Sequence, residues 1–164
     1  MDAIADPPSL LEEVARLHQE GVAVLFETGA SQDLKDSNEM ILDVLQGGLG
    51  LPDRDYYLKD DEATKKIRDE YGKHVARILE LSGEPAQRAA EESAEIVALE
   101  TRLARASKTR AERRDVPGNY HRMTLAEMDA LTPHLSWERY FAAIGVPGLA
   151  GANVRVPAFL QALD

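Results

Sequence analysis

A glycine-rich stretch at residues 47–58 constrains the fold of this chain more than any other feature. It reads Gly47-Gly48-Leu49-Gly50-Leu51-Pro52-Asp53-Arg54-Asp55-Tyr56-Tyr57-Leu58. Three glycines within four residues do not suit the interior of a helix or strand, because glycine loses the most backbone freedom on folding. Pro52 fixes its own φ and favours extended backbone at Leu51. We therefore predict a sharp corner between two structured parts of the chain.

The residues around the glycines are expected to anchor this corner. Asp53 and Asp55 flank Arg54, which predicts a local carboxylate–guanidinium clip, and Tyr56 and Tyr57 supply apolar contacts. The stretch lacks the Lys-Ser/Thr tail of a phosphate-binding loop, so a structural role is predicted. The predicted structural hub consists of Gly47, Gly48, Gly50, Pro52, Asp53, Arg54, Tyr56 and Tyr57.

Length and charge limit the classes of partner. A chain of 164 residues predicts a single domain over residues 1–164. A net charge of -10 argues against nucleic acid and anionic membranes as partners. The sequence has no cysteine, so it has no disulfide and no thiolate metal ligand. No apolar run approaches the roughly 20 residues of a membrane helix, and the first residues lack the basic start and apolar core of a signal peptide.

Hydrophobic periodicity predicts a mainly α fold, a multi-helix domain with one small antiparallel β-hairpin. The hairpin strands are predicted at residues 29–34 and 40–46. Two long helices are predicted, one over residues 62–81 and one from Pro85 to about residue 106. Shorter helices are predicted to begin after Ser9 as N-cap, at the capping box of Thr124–Glu127, after Ser136 and at Pro157. Trp137, Tyr140 and Phe141 have helical spacing and are predicted to lie in the core.

The last predicted helix reaches the end of the sequence within two turns. It carries Phe159, Leu160 and Leu163. We expect these side chains to form an exposed apolar surface, because a contiguous apolar patch usually marks a lost partner surface. The chain is accordingly expected to be an excised piece of a longer protein.

No complete catalytic constellation is present in the sequence. Zinc hydrolysis needs two histidines at positions i and i+4 of a helix, and none of His18, His74, His121 and His134 has that spacing. Glu70 and His74 share a helix face and are predicted to form a surface ion pair. We therefore predict that this chain carries no catalytic, cofactor-binding or metal-binding residue.

Two further polar features have alternative interpretations. A basic run consists of Arg102, Arg105, Lys108, Arg110, Arg113 and Arg114, interrupted by Glu112 and followed by Asp115. Given the acidic chain, a solvated or ion-paired face is favoured over a nucleic-acid patch. Tyr120, His121 and Arg122 suggest either contact with a peptide carboxylate or, as we favour, a structural tyrosine packed under a loop.

Residues 46–57 resemble a signature of the neprilysin-type zinc metallopeptidases, a family that includes neprilysin, endothelin-converting enzyme and related bacterial oligopeptidases. The resemblance extends from about Leu10 to the C-terminus. Further matches are Asp33-Leu34-Lys35-Asp36, Glu100-Thr101-Arg102-Leu103-Ala104, Arg113-Arg114-Asp115, Tyr120 and Met123-Thr124. His121 departs from the pattern, since the family usually has Asn after the tyrosine.

The resemblance implies an N-terminal, non-catalytic region of a zinc metalloendopeptidase that hydrolyses oligopeptides. In that family the helical region faces a thermolysin-like catalytic lobe across a closed cavity, so this chain would form part of the cavity wall. The expected partners are the catalytic lobe of the same polypeptide and peptide substrates, with zinc bound by the parent enzyme and none by this fragment. Glu39 and Asp43 have the spacing that supplies the family's third zinc ligand, but they precede the glycine corner and no histidine pair lies upstream, so they are rejected.

The sequence alone does not determine where in the cell the protein lies, and it leaves one alternative function open. The resemblance implies a cell-envelope or periplasmic location, while the residues themselves leave a cytoplasmic one open. The alternative function is a free-standing helical protein-interaction module. A downstream His-Glu-x-x-His motif in the full reading frame would decide for the peptidase.

Overall fold

The structure is a computed structural model that describes Ile4 and residues 6–164. Its contacts group the chain into two compact units, of which the first comprises Met1–Gly48 and Lys108–Asp164 and the second Leu49–Ser107. The chain passes from the first unit to the second inside the glycine-rich stretch, between Gly48 and Leu49, and returns between Ser107 and Lys108. A single domain over the whole chain stays a prediction.

The described residues are mainly helical with a small sheet, which confirms the predicted fold class. The helices are α1 (Pro7–Gln19), α2 (Asp55–Leu58), α3 (Glu62–Leu81), α4 (Ala86–Ala106), α5 (Leu125–Leu131), α6 (Trp137–Ala143) and α7 (Pro157–Leu163). The strands are β1 (Phe26–Gln32), β2 (Met40–Gln46), β3 (Arg122–Thr124) and β4 (Gly151–Val154). Short 3₁₀ turns occupy Glu112–Arg114 and Pro117–Asn119.

The sheet of the first unit has the strand order β1-β2-β4-β3. β1 and β2 form an antiparallel hairpin in which Phe26 pairs with Gln46, so the predicted hairpin is confirmed, although its first strand begins three residues earlier than expected. β2 then pairs in parallel with β4 through Asp43 and Asn153, and β3 pairs antiparallel with β4. The hairpin is therefore one half of a four-stranded sheet within the described residues, which the hydrophobic pattern alone does not predict.

The core of the first unit is built around an aromatic cluster. Trp137, Tyr140 and Phe141 of α6 are fully or almost fully buried, which agrees with their predicted place in the core. The Phe26 ring lies 5.4 Å from Trp137 and 5.1 Å from Tyr140, centroid to centroid. Edge-to-face aromatic pairs contribute about 0.5–1.5 kcal/mol each beyond their burial. These contacts hold the start of β1 against α6.

Helix starts follow local capping chemistry. α1 begins at Pro7 with Asp6 as N-cap, whose carboxylate accepts from the Ser9 N–H at 2.9 Å. The prediction of Ser9 as N-cap is therefore wrong, because Pro7 already occupies the first helical position, where its missing N–H costs nothing. The capping box of Thr124 and Glu127 opens α5 as predicted.

The second unit consists of α2 and a helical hairpin of α3 and α4. The predicted helix over residues 62–81 matches α3, and Asp61 caps it by accepting from the Thr64 N–H at 2.9 Å. Ser93 of α4 donates to the Gly72 carbonyl of α3 at 2.6 Å. Two helices approach this closely only where small residues face each other, and Gly72 and Ser93 meet that need.

The C-terminal helix α7 does not expose its apolar face. Phe159 is fully buried and Leu160 is 2% exposed, so the expectation of a surface formed by Phe159, Leu160 and Leu163 is wrong. α7 packs against α5 in the core of the first unit. The Asp164 carboxylate accepts from the His134 N–H at 2.9 Å, which ties down the end of the helix.

Candidate functional site

The glycine-rich stretch begins with a close backbone approach. Gly48 has a φ of +69°, a left-handed conformation that residues with a Cβ rarely adopt. A Cβ on Gly48 would lie 2.6 Å from the carbonyl oxygen and 2.7 Å from the Cα of Leu25. Leu25 itself has a φ of +59°. Both the conformation and the space at this point therefore require glycine.

Gly50 is constrained for a different reason. Its φ lies outside the left-handed region, so strain from a positive φ does not explain why glycine stands there. A methyl group at Gly50 would instead overlap the hydroxyl of Tyr71 on α3. The glycine leaves room for a tyrosine that is held by a hydrogen bond of its own.

That hydrogen bond belongs to a cluster of two tyrosines on one buried carboxylate. Tyr57 donates to Oε2 of Glu100 at 2.5 Å and Tyr71 donates to Oε1 at 2.9 Å. The Leu51 N–H donates to the Tyr57 hydroxyl at 2.8 Å. Glu100 is only 9% exposed. One side chain thus ties the glycine-rich stretch, α2 and α3 to α4.

The environment of this cluster shifts the tyrosine pKa values upward. Burial, followed by the hydrogen bond to Glu100, raises the pKa of Tyr71 to about 12. The same two causes raise the pKa of Tyr57 further above its ordinary value. Deprotonating either tyrosine would place an anion beside the Glu100 side chain in a poorly solvated site.

We expect the stability of the chain to fall in alkaline solution because of Tyr71. A group whose pKa is higher in the folded state holds its proton better there than in the unfolded chain. Its stabilising contribution is complete below its unfolded pKa near 10 and is lost as the pH rises through about 12. Urea unfolding between these pH values measures the loss, with Tyr71→Phe as the variant and Tyr56→Phe as the control. If the free energy of unfolding decreases equally with rising pH in Tyr71→Phe and in wild type, Tyr71 is not the cause of the alkaline loss of stability.

The other hub residues make further local contacts. Arg54 donates through Nε to the Ala104 carbonyl at 3.0 Å. Asp55 pairs with Lys59 at 3.0 Å, and Asp53 accepts from the Asp55 N–H at 3.0 Å. The clip of Asp53 and Asp55 around Arg54 is not among these contacts and stays a prediction. The contact of Arg54 adds a second donor to a carbonyl in the last turn of α4, which also accepts from the Ser107 N–H at 3.3 Å.

Gly50→Val is expected to destabilise the chain by about 2–3 kcal/mol through overpacking, since the valine must displace Tyr71 from Glu100. Lys59→Ala removes only an exposed ion pair and is expected to cost less than about 0.5 kcal/mol. Thermal unfolding of both variants measures the difference. Equal melting temperatures would mean that Tyr71 moves aside at no cost.

A second buried carboxylate, Asp43, organises the sheet of the first unit. It accepts from Ser31 at 2.7 Å, from Asn153 at 2.6 Å and from Arg155 at 2.8 Å. Burial alone would raise its pKa, but these three hydrogen bonds, that of Arg155 foremost, outweigh burial and hold the pKa below its ordinary value. By sequence alone, Asp43 is only a rejected zinc ligand. The signal for its structural role is an acidic residue among buried positions of a strand.

The contacts of Tyr120 and Arg122 support the favoured interpretation, a structural tyrosine. The Tyr120 hydroxyl donates to the buried Asp33 at 3.0 Å, and Arg122 lies 3.2 Å from the same carboxylate. These are structural contacts that brace the turn after β1. The predicted pair of Glu70 with His74 is wrong, because Glu70 pairs with Lys73 at 2.8 Å.

The histidines in the described part of the chain do not assemble a zinc centre. Nδ1 of His18 lies 2.6 Å from the Tyr140 hydroxyl and Nε2 lies 3.0 Å from the Val24 carbonyl, so both ring nitrogens have protein partners. His121 contacts the Val154 carbonyl. Among residues 4 and 6–164, no three acidic, histidine or cysteine side chains converge as a metal site would require. Nor does any helix in the described part of the chain combine the length and apolar character needed to span a bilayer.

Comparison with known proteins gives the family. Residues 2–164 match the N-terminal model of Peptidase family M13. Endothelin-converting enzyme-like 1 of Rattus norvegicus is 36% identical over 118 residues, which are 71% of this chain and 15% of that protein. Endothelin-converting enzyme 1 of Cavia porcellus is 36% identical over 125 residues, 74% of this chain and 16% of that protein.

A solved structure agrees with the sequence comparison. The inhibitor complex of the zinc metalloprotease Zmp1 of Mycobacterium tuberculosis matches with a TM-score of 0.89 and 30% identity, over 98% of this chain and 24% of Zmp1. The chain therefore spans about a quarter of that protease and less of the endothelin-converting relatives. By sequence and by structure, the chain belongs to Peptidase family M13, in the N-terminal region of that family.

Proposed function

We propose that this chain is the non-catalytic N-terminal part of a zinc metalloendopeptidase that hydrolyses oligopeptides, and that it forms part of the wall of the substrate cavity. The observation that carries the proposal is the match of nearly the whole chain to one quarter of a zinc metalloprotease. The zinc ion, which would polarise a peptide carbonyl and activate water, then belongs to the remainder of the parent protein. No step of that chemistry is assigned to residues of this chain.

The contacts of the hub residues support a wall that keeps its shape. The Gly48 backbone packs directly on Leu25, and Glu100 binds Tyr57 and Tyr71 at once. Buried hydrogen bonds to a charged group are among the stronger ones in proteins, at about 1.5–3 kcal/mol. A wall held in this way would exclude large substrates without touching the scissile bond. The proposed partners are the catalytic lobe of the same polypeptide and the peptides enclosed between the two.

The family also supports a location of the parent enzyme in the cell envelope or periplasm. Fractionation of producing cells, followed by detection with an antibody to this chain, tests that location. Recovery with the cytoplasmic fraction would contradict it.

The wall is tested in the full-length parent enzyme by replacing Leu49 and Leu51 with glycine. Both side chains belong to the corner, and glycine adds backbone freedom at both positions. The double variant therefore loosens the corner locally while keeping the Leu51 N–H that binds Tyr57. We expect cleavage of a folded protein substrate to appear, while turnover of a short peptide and zinc content stay unchanged. Lys59→Ala, an exposed position close by, is the control.

Two results would overturn the proposal. Loss of zinc in the double variant would mean that this region supports the metal site. Loss of short-peptide turnover with the size limit intact would mean that the region takes a direct part in catalysis.

A further inference from the structure

The part of the basic run that follows α4 contributes Arg110, Arg113 and Arg114 to the lining of a pocket in the first unit. The pocket has a volume of about 350 Å³, within the range of small-ligand sites. It lies at the end of β2, and its polar lining consists of Gln46, Arg110, Arg113, Arg114, Asn119 and Arg155. Four of these six side chains are guanidinium groups, on a chain with a net charge of -10.

Hydrogen bonds fix the walls of this pocket. Gln46 donates to the Lys108 carbonyl at 3.1 Å and accepts from the Lys108 N–H at 2.7 Å. The Lys108 ammonium donates to the Gly118 carbonyl at 2.7 Å and to the Asn119 side chain at 2.9 Å. Asn119 is buried and donates to the carbonyls of Glu112 and Asp115. The loop of residues 108–119 is thus closed on itself and attached to the sheet.

Three arginines of the pocket retain unused donors. Arg113 and Arg114 are exposed, and neither side chain has a hydrogen bond or ion pair within residues 4 and 6–164. Arg155 binds Asp43 through Nη2, but its Nε is buried without a partner in the described part of the chain. A buried donor without a partner is costly. A ligand that offers paired oxygens would satisfy it.

The acidic side chains of the loop are already engaged. Glu112 accepts from the N–H and the hydroxyl of Thr109, and Asp115 accepts from the Gly118 N–H. Both carboxylates therefore serve the turns of the loop. Neither carboxylate lines the pocket, whose charged lining residues are arginines.

We propose that this pocket binds the carboxylate groups of acidic peptides. Guanidinium groups match carboxylates in a bidentate geometry, and a concave basic site on an acidic protein concentrates anionic ligands locally. Leu45 and Val156 add apolar lining for the stem of an aspartate or glutamate side chain. The inference rests on the proposed function, since it names acidic oligopeptides as the class of peptide that the wall attracts.

The test is calorimetric titration of the 164-residue chain with the blocked peptide acetyl-Ala-Glu-Glu-amide and with its glutamine counterpart. We expect the glutamate peptide to bind at least about tenfold more tightly, because charge-assisted hydrogen bonds are about twice as strong as neutral ones. The double variant Arg113→Gln/Arg114→Gln is expected to bind the glutamate peptide about tenfold more weakly than the unmodified chain does. The control variant Arg102→Gln/Arg105→Gln has the same change of charge at exposed positions of α4. It is expected to keep its affinity for the glutamate peptide.

Three outcomes would overturn the inference. These are equal binding of the two peptides, equal losses in the two double variants, and displacement of the peptide by inorganic phosphate at equal concentration. The last outcome would define a general anion site. The readout needs neither zinc nor cleavage, so its failure is distinct from a failure of the cavity-wall experiment in the parent enzyme.

Discussion

Replacing Gly48 with alanine is expected to lower the free energy of unfolding by about 3 kcal/mol. A left-handed conformation costs a residue with a Cβ about 1–2 kcal/mol. Overlap of the new methyl group with the Leu25 backbone, 2.6 Å away, adds about 1–3 kcal/mol of overpacking. Urea unfolding with unchanged m-values measures the total.

Gly21→Ala separates the two causes. Gly21 also has a positive φ, +79°, but no atom lies within 4 Å of the position that a Cβ would take there. Its replacement should therefore cost only the conformational part, about 1 kcal/mol. If both variants lose the same stability, the close approach of Gly48 to Leu25 contributes nothing, and the corner is held by conformation alone.

Replacing Asp43 with alanine should cost about 3 kcal/mol, the lower end of the range for breaking a buried ion pair. The lower end applies because the Arg155 side chain is 35% exposed and partly solvated. Ser31→Ala removes one of the three donors to the same carboxylate and should cost about 1 kcal/mol. The measurement is again the free energy of unfolding in urea. A loss in Asp43→Ala no greater than that in Ser31→Ala would rule out a central role for the carboxylate.

The same carboxylate makes stability depend on pH. The pKa of Asp43 in the folded chain lies below its ordinary value of 3.8. Its contribution is therefore complete above the unfolded pKa and is lost as the pH falls through the folded one. Asp43→Asn should be least damaging at low pH, because the wild-type carboxylate is protonated there too. A stability difference between Asp43→Asn and wild type that does not shrink below about pH 4 would contradict this.

Local sequence rules predict the helices well. α3 has a clear apolar period and a capping aspartate, and both signals agree with its observed bounds. The same holds for the Thr124–Glu127 capping box of α5. Such signals act within one or two turns of helix, so no distant part of the chain can override them cheaply.

The partners of the buried polar groups could not be predicted, because they lie far away in the sequence. Glu100 falls on the apolar side of α4, yet only the fold brings Tyr57, 43 residues earlier, to its carboxylate. Asp43 binds a side chain of β4 that is 110 residues later. The prediction that α7 exposes its apolar side chains is wrong for the same reason. The hydrophobic pattern of this short helix does not show that it packs against α5. A charged residue on an otherwise apolar face is the signal that would have identified Glu100 and Asp43.

The parallel pairing of β2 with β4 has a consequence for synthesis on the ribosome. When β2 emerges, the strand that will cover one of its edges does not yet exist, because β4 begins only at Gly151. Residues 49–107 emerge in between and form a contiguous unit that can complete its own contacts first. During that interval β2 presents an unpaired edge, which is a template for pairing with another chain. The aggregation of nascent chains should therefore increase when translation of residues 108–150 is slowed, and a faster passage through this segment should improve the yield of folded protein.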